Sequence, residues 1–349
     1  MEIKSLTLEL TSKCNLKCTH CYNNSGLCGH VQEMDLPTVK LLLNDLSQYP
    51  IEEMYLSGGE PLLHNDFEEI LNLAAACQYQ VIICTNGTAK DRLQKLINNK
   101  LYIKRVNLSL EGLGDTNDKI RGVGTFSILV HHTIKLLRME GINVCVAIHL
   151  NKANKHQVEG LYNLVVDKLD CDIKFGVLRP LGRAHDNLTH LMLSPEELYE
   201  CVKKIYELKK RSDKKRIWHD WDICTEDIKF YKQDYHDKTT CLAGRRVMLG
   251  IASNFEIFPC IQLRAPLMSM GIFNQQGDIA SLVNSENIDK VYKQFNIKDE
   301  SCIKCNYYKL SCTGGCPAVP FGLHNTLESL SYKDQYCFKH LIDHEKSRQ

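Results

Sequence analysis

Three cysteines, Cys14, Cys18 and Cys21, follow one another in a C-x3-C-x2-C pattern inside the stretch TSKCNLKCTHCY at residues 11–22. They are too close together for ordinary disulfide pairing with one another, and their spacing suits folding round one inorganic centre. Structural zinc wants four closed ligands, usually as two separated C-x2-C pairs, so a four-iron cluster fits the triplet better than zinc or plain surface thiols. Three thiolates leave one iron of such a cluster without a protein ligand, and that iron is where chemistry can occur. A second group lies towards the C-terminus: Cys241, Cys260, Cys302, Cys305, Cys312, Cys316 and Cys337, spaced C-x18-C, then C-x2-C-x6-C-x3-C, then the last. A zinc ribbon would use four of these seven and leave three over. Two further iron–sulfur clusters, one with four cysteines and one with three plus another ligand, account for the count.

Other candidates carry less information alone. Ser57-Gly58-Gly59-Glu60-Pro61 sets two glycines, which let the backbone approach a ligand, beside an acid able to hold an ammonium. A strand-to-helix turn would look the same. Asn86-Gly87-Thr88 reads equally as a turn with a helix cap, and Ser109 and Glu111 as polar residues at a strand end. His64, His131, His132 and His149 show no partner pattern and read as core or surface residues. Seven cysteines are scattered (Cys28, Cys77, Cys84, Cys145, Cys171, Cys201, Cys224); of these Cys77, Cys84 and Cys145 fall on apolar faces and read as small core side chains. No residue stands out as a general base. Asp220, Asp222 and Tyr231 are candidates by position only.

The 17 cysteines among 349 residues are far too many for an ordinary protein of a reducing compartment, where they point to metal instead of a disulfide framework. A net charge of +1 gives no electrostatic reason to expect nucleic acid or an anionic membrane as a partner. No stretch approaches the ~18 consecutive apolar residues of a membrane span, and the N-terminal MEIKSLTLEL has no cleavage signal. The reading is a soluble, cytoplasmic protein.

The elements that must position these residues alternate. Residues 5–10 read as a strand leading into the cysteine loop. Asp35 caps a helix with Pro37 in its first turn and Val39, Leu42, Leu43 and Leu46 on one face. Residues 53–56 form a second strand, and Asp66 caps the next helix, with Glu69 three residues on. Strands at 80–84, 103–110, 143–150 and 172–178 follow, with helices between them, the one from Thr125 carrying Phe126, Leu129, Val130, Ile134 and Leu137 inward. Such alternation implies an α/β fold with a parallel sheet, and six units by residue 178 imply a partial (β/α)6 barrel. Every unusual peptide (TSKCNLKC, SGGEP, TNGT, SLEG, RPLGRA) leaves a strand at its C-terminal end, where barrel folds build their sites. Ser194-Pro195-Glu196-Glu197 starts a further helix to about residue 210. Residues 1–208 thus form the barrel, residues 209–240 a connection, and residues 241–349 a small cysteine-rich iron–sulfur module held by metal instead of by a large apolar core.

On these residues the chain resembles the radical S-adenosylmethionine enzymes with a C-terminal SPASM module. The triplet, SGGEP and the seven-cysteine tail carry the resemblance over nearly the whole length. It implies three [4Fe–4S] clusters, one binding S-adenosyl-L-methionine and two auxiliary, and cleavage of that cofactor to a 5′-deoxyadenosyl radical that abstracts a hydrogen from substrate. Cys14, Cys18 and Cys21 would hold the first cluster, with His20 near the adenine and Gly58, Gly59 and Glu60 at the methionine amino group. Ser109 would lie near the ribose or carboxylate, with Glu111 in place of the family's aspartate, and Arg121 would be a carboxylate partner. In the tail, Cys241, Cys260 and Cys316 would hold the first auxiliary cluster and Cys302, Cys305, Cys312 and Cys337 the second.

Three departures stand out. Phe255 replaces a glycine common in relatives, the C-x2-C-x5-C spacing is C-x2-C-x6-C here, and residues 244–254 lack the extra cysteine of sulfatase-maturing relatives. The first auxiliary cluster therefore keeps an open iron or borrows Cys224. The resemblance favours maturation of a ribosomally made peptide or protein, by cross-link or oxidation. The alternatives are a formylglycine-type sulfatase maturase, a small-molecule dehydrogenase or decarboxylase acting on an aminosugar or tetrapyrrole, and a non-catalytic iron–sulfur or zinc protein. An electron donor such as flavodoxin or ferredoxin is implied. Because strand one begins about four residues in, a separate leader-binding protein or direct substrate binding is expected.

Overall fold

The structure is a computed structural model that describes residues 2–26, 31–211, 216–219, 241–274, 279–296, 298–308, 312 and 314–347. The six expected strands are present as β1 (Ser5–Glu9), β2 (Glu53–Ser57), β3 (Gln80–Thr85), β4 (Ile103–Ser109), β5 (Val144–Leu150) and β6 (Asp172–Val177). They lie side by side in chain order, all parallel. The sheet continues past both edges. β7 (Ile217–His219) pairs in parallel with β6, although that stretch reads as a connection; three residues are too few to show a period. On the other side β8 (Met248–Ile251) pairs in parallel with β1, and β9 (Glu256–Phe258) and β10 (Gly271–Ile272) extend it antiparallel.

Helices connect these strands along the chain. They are α1 (Leu36–Leu46), α2 (Phe67–Ala76), α3 (Leu93–Asn98), α4 (Asp115–Arg121), α5 (Thr125–Ile128), α6 (Ile134–Met139), α7 (Val158–Tyr162), α8 (Arg183–Leu188) and α9 (Pro195–Arg211). Asp35 caps α1 by accepting from Thr38 N, and Ser194 and Glu197 exchange hydrogen bonds at the start of α9 as a capping box. Asp66 precedes α2 but makes no side-chain cap; its own N–H donates to His64 Nδ1, which diverts the backbone there.

Period-two alternation assigns the faces. Leu6, Leu8, Met54, Leu56, Val106, Leu108, Ile173 and Phe175 are buried under the helices. Thr7, Tyr55, Cys84, Asn107, Ser109 and Lys174 line the interior instead. Cys84 is thus a cavity residue and not a core one, its thiol met by Asn107 Nδ2, whereas Cys145 is core.

The C-terminal part adds α10 (Ile279–Val283), α11 (Glu286–Asn296), α12 (Glu300–Ile303), α13 (Ala318–His324) and α14 (Lys339–Lys346). It is less dependent on metal than its cysteine density suggests: Leu249, Ile251, Ile257, Tyr292, Val319 and Phe338 join the same apolar cluster as the barrel. Phe255 sits in the left-handed region at φ 63°, a conformation that glycine adopts without strain. No helix among the described residues is long and apolar enough to cross a membrane.

Candidate functional site

β1 delivers the chain into the cysteine loop, and the loops after β2, β3, β4 and β6 then grip it. The Ser57–Pro61 loop approaches most closely. Gly59 N donates to Thr11 O at 2.7 Å and Glu60 N to Lys13 O at 2.8 Å. A Cβ at Gly58 would lie 2.5 Å from Thr11 O, and one at Gly59 2.3 Å from Lys13 O, so both glycines are required by the contact between the two loops. After β3, Asn86 Nδ2 reaches Asn15 Oδ1 at 2.9 Å and the Cys14 sulfur at 3.7 Å. After β4, the α4 segment accepts from Thr19 N at Ile120 O, 2.9 Å. After β6, Arg183 donates from Nε to Cys18 O and from Nη1 to Ser25 O, both at 2.8 Å, while its backbone N–H meets Cys21 O.

These contacts put Cys14, Cys18 and Cys21 on the wall of one cavity of about 470 Å³. His20, Gly58, Gly59, Ser109 and Arg121 line it too. Glu60 does not. It is fully buried, and its carboxylate accepts from Thr85 Oγ1 at 2.6 Å, Asn86 N at 2.8 Å and Leu62 N at 3.2 Å. Glu60 therefore ties two strand-end loops together and has no oxygen presented to the cavity. Burial raises its carboxyl above the usual range, against those three hydrogen bonds.

Glu111 is the centre of a second network. Its carboxylate accepts from His20 Nε2 at 3.1 Å, Arg121 Nη1 at 3.3 Å and the backbone N–H of His149 at 3.0 Å, and lies 3.3 Å from His149 Nδ1. Burial would raise the Glu111 carboxyl, but the rings of His20 and His149 and their hydrogen bonds hold it well below the usual carboxylate range. Burial pulls the His20 imidazole down. His149 is thus a cavity residue with a partner, contrary to its reading as a lone histidine. Sequence offered no local signal for it, since β4 and β5 bring it to Glu111. His64 is the satisfied core histidine that its isolation suggested, bonded to Met34 O and Asp66 N. His20, Glu111 and His149 converge closely enough to hold a cation.

The wall fits a cluster and a polar cofactor. Among the described residues His20 Nδ1, Ser25 Oγ and Arg121 Nε are buried without a hydrogen-bond partner, and such atoms call for a polar ligand. Burial pushes the Cys14 thiol up to about 11, so a thiolate there calls for a compensating metal.

Across the same cavity lies Cys260. Its thiol is pushed up to about 11, chiefly by burial, with nearby Cys316 adding to the rise and Arg179 opposing it. Arg179 also hydrogen-bonds Cys316. Cys302, Cys305, Cys312 and Cys337 gather round a separate cavity with Asp334 and Lys333. The two cysteine sets meet at Cys312, Gly314 and Cys316. Cys316 N donates to Asp334 Oδ2 at 2.8 Å, and Gly314 N meets the Cys312 sulfur at 3.3 Å. Arg264 pairs with buried Glu9 at the end of β1, which also holds Tyr22 and Asn23 of the cysteine loop. Cys28, Cys224, Asp220, Asp222 and Tyr231 lie outside the described residues.

Comparison with known proteins agrees with this geometry. The profile of the Radical SAM superfamily matches residues 8–165. The Fe-coproporphyrin III synthase of Methanosarcina barkeri is 31% identical over 199 residues, which are 57% of this chain and 49% of that protein. The mycofactocin maturase MftC of Mycobacterium tuberculosis is 26% identical over 332 residues, 90% of this chain and 78% of the relative. The chain thus spans about half of the first relative and over three quarters of the second. Among solved structures, anSMEcpe with bound AdoMet and the Cp18Cys peptide superposes with a TM-score of 0.77 at 19% identity, covering 99% of this chain and 97% of that one, a likeness of fold. With its cysteine triplet on a strand-end loop of a parallel barrel sheet, the chain is similar to the radical SAM superfamily over residues 8–165, from β1 to beyond α7.

Proposed function

We propose that this chain is a radical S-adenosylmethionine enzyme that matures a ribosomally made peptide or protein by cross-linking or oxidation. The observation that carries the reading is one cavity lined by Cys14, Cys18 and Cys21, by the unpartnered His20 Nδ1 and Arg121 Nε, and by Cys260 from the tail. Cys14, Cys18 and Cys21 would hold a [4Fe–4S] cluster, with His20, Ser109, Arg121 and the backbone of Gly58 and Gly59 arranged for S-adenosylmethionine. When bound, that pair supplies hydrogen-atom abstraction. The chain's own residues hold the cofactor in place: Glu60 fixes the loops around it, and Glu111 orients His20, His149 and Arg121.

In this reading residues 1–208 are the barrel, 209–240 the connection and 241–349 the module for two auxiliary clusters, on Cys241, Cys260 and Cys316 and on Cys302, Cys305, Cys312 and Cys337. Reduction by a flavodoxin or ferredoxin, a separate leader-binding protein, and work in the cytoplasm, where thiols stay reduced, complete it. Support for a peptide substrate comes from the length-wide similarity to a maturase and from the fold shared with a peptide-bound structure. A second reading, a tetrapyrrole substrate, is favoured by the 31% identity to a coproporphyrin synthase. Reduced enzyme with S-adenosylmethionine and short peptides encoded beside its gene decides between them. The peptide reading expects a mass change in the peptide; turnover of a carboxylated porphyrin, with the peptides untouched, would replace it by the second.

A further inference from the structure

Lys298 is only 9% exposed, a rare state for a lysine. It stands directly before α12, which carries Cys302 and whose first turn is capped by Asp299. Its aliphatic stem packs against Gly314: a Cβ there would lie 3.1 Å from Lys298 Cδ and 3.2 Å from Cε. Gly314 sits at the crossing point of the two tail cysteine sets, between Cys312 of one and Cys316 of the other. Asp334, which lines the second cavity and accepts from Cys316 N, is at the same junction. Burial pulls the ammonium below its ordinary range, while Cys241, Cys302, Cys316 and Asp334 work against that and favour it. Two of those cysteines belong to the three-cysteine set and one to the four-cysteine set. No cysteine of the N-terminal triplet is among these groups.

We propose that Lys298 is a counter-charge shared by both auxiliary clusters, raising the reduction potential of each; this rests on the auxiliary-cluster reading above. Reduction adds one negative charge to a cluster, and a buried cation nearby stabilises the more anionic form. A cation at the junction acts on both sets at once, and a polar environment or hydrogen bond at one set would not. Lys298 is a positioning residue in this account and touches no substrate.

The test is a redox titration of the full-length, anaerobically reconstituted protein followed by electron paramagnetic resonance, comparing Lys298→Met and Lys298→Arg with the unaltered chain. The expected result in Lys298→Met is a fall in the reduced-to-oxidised ratio of both auxiliary clusters of about tenfold at fixed potential, about 59 mV for a one-electron couple. The signal of the N-terminal triplet cluster keeps its midpoint, and Lys298→Arg keeps all three. A shift in only one auxiliary cluster, in neither, or equally in all three would overturn the proposal. If Lys298→Met fails to retain auxiliary iron, Lys298→Arg decides: retention supports the need for a cation, and loss there too refutes it. An unaltered protein with no auxiliary cluster signal would sink the cluster assignment itself.

Discussion

Replacing Arg183 by methionine isolates the grip that the barrel keeps on the cysteine loop. The substitution removes the Nε bond to Cys18 O and the Nη1 bond to Ser25 O, each 2.8 Å, and leaves the backbone bond to Cys21 O in place. A hydrogen bond to a charged donor contributes about 1.5–3 kcal/mol, and because this guanidinium is half-buried the lower end applies, giving about 3 kcal/mol for the pair. That lowers the population of the ordered loop by about a hundredfold. The cost falls on the loop and not on the sheet, since Gly182 and the residue 183 backbone still pack on Cys21 and Tyr22. The assay is the rate at which a chelator strips iron from the reconstituted, reduced protein, with the triplet and tail clusters separated by their paramagnetic signals. Arg183→Met should lose the triplet cluster between about ten- and a hundredfold faster and keep the tail clusters, and Arg183→Lys should fall between, because an ammonium lacks the fork that spans two carbonyls. Equal stripping rates in Arg183→Met and the unaltered protein would refute the clamp.

Other perturbations separate the parts of the site. Gly59→Ala places a methyl 2.3 Å from Lys13 O, so it should cost about 1–3 kcal/mol, seen as a lower unfolding temperature together with lost triplet iron. Glu111 binds fewer protons folded than unfolded because its carboxyl is held below its ordinary value of 4.5; its stabilisation is complete above pH 4.5 and lost as pH falls through the lower folded value. The stability gap between the metal-free protein and Glu111→Gln should therefore be widest above pH 4.5 and narrow below it, which denaturant titrations across pH will measure. Double replacement of Cys302 and Cys337 by serine should lower iron from about twelve to about eight per chain, as expected for one [4Fe–4S] cluster; an unchanged iron content would remove the four-cysteine assignment.

The barrel strands could be read from sequence because β1, β2 and β4 put apolar residues at alternate positions and β3 is a short apolar run, and the caps at Asp35 and Ser194 because their partners lie three residues away. The cysteine triplet was legible for the same reason: its ligands are local. Contacts made across the sheet were not. Arg183 lies 165 residues from Cys18, and nothing in RPLGRA records where its side chain goes. His149 meets Glu111 only because β4 and β5 are neighbours. Glu60 shows the opposite failure. Its motif marked it correctly as a special residue, yet its carboxylate is consumed by Thr85, Asn86 and Leu62. Strands of two to four residues, such as β7, β8 and β10, are shorter than any pattern can reveal. Phe255 carries a glycine-like φ on a bulky, buried side chain, which propensity alone argues against.

Cleavage of S-adenosylmethionine decides whether Cys14, Cys18 and Cys21 are the reactive centre. Dithionite-reduced, iron-loaded protein mixed with S-adenosylmethionine should release 5′-deoxyadenosine and methionine, and a variant with all three of these cysteines changed to alanine should release none while keeping its tail iron. Release that survives the triple substitution, or no release from the fully loaded unaltered protein, would contradict the account.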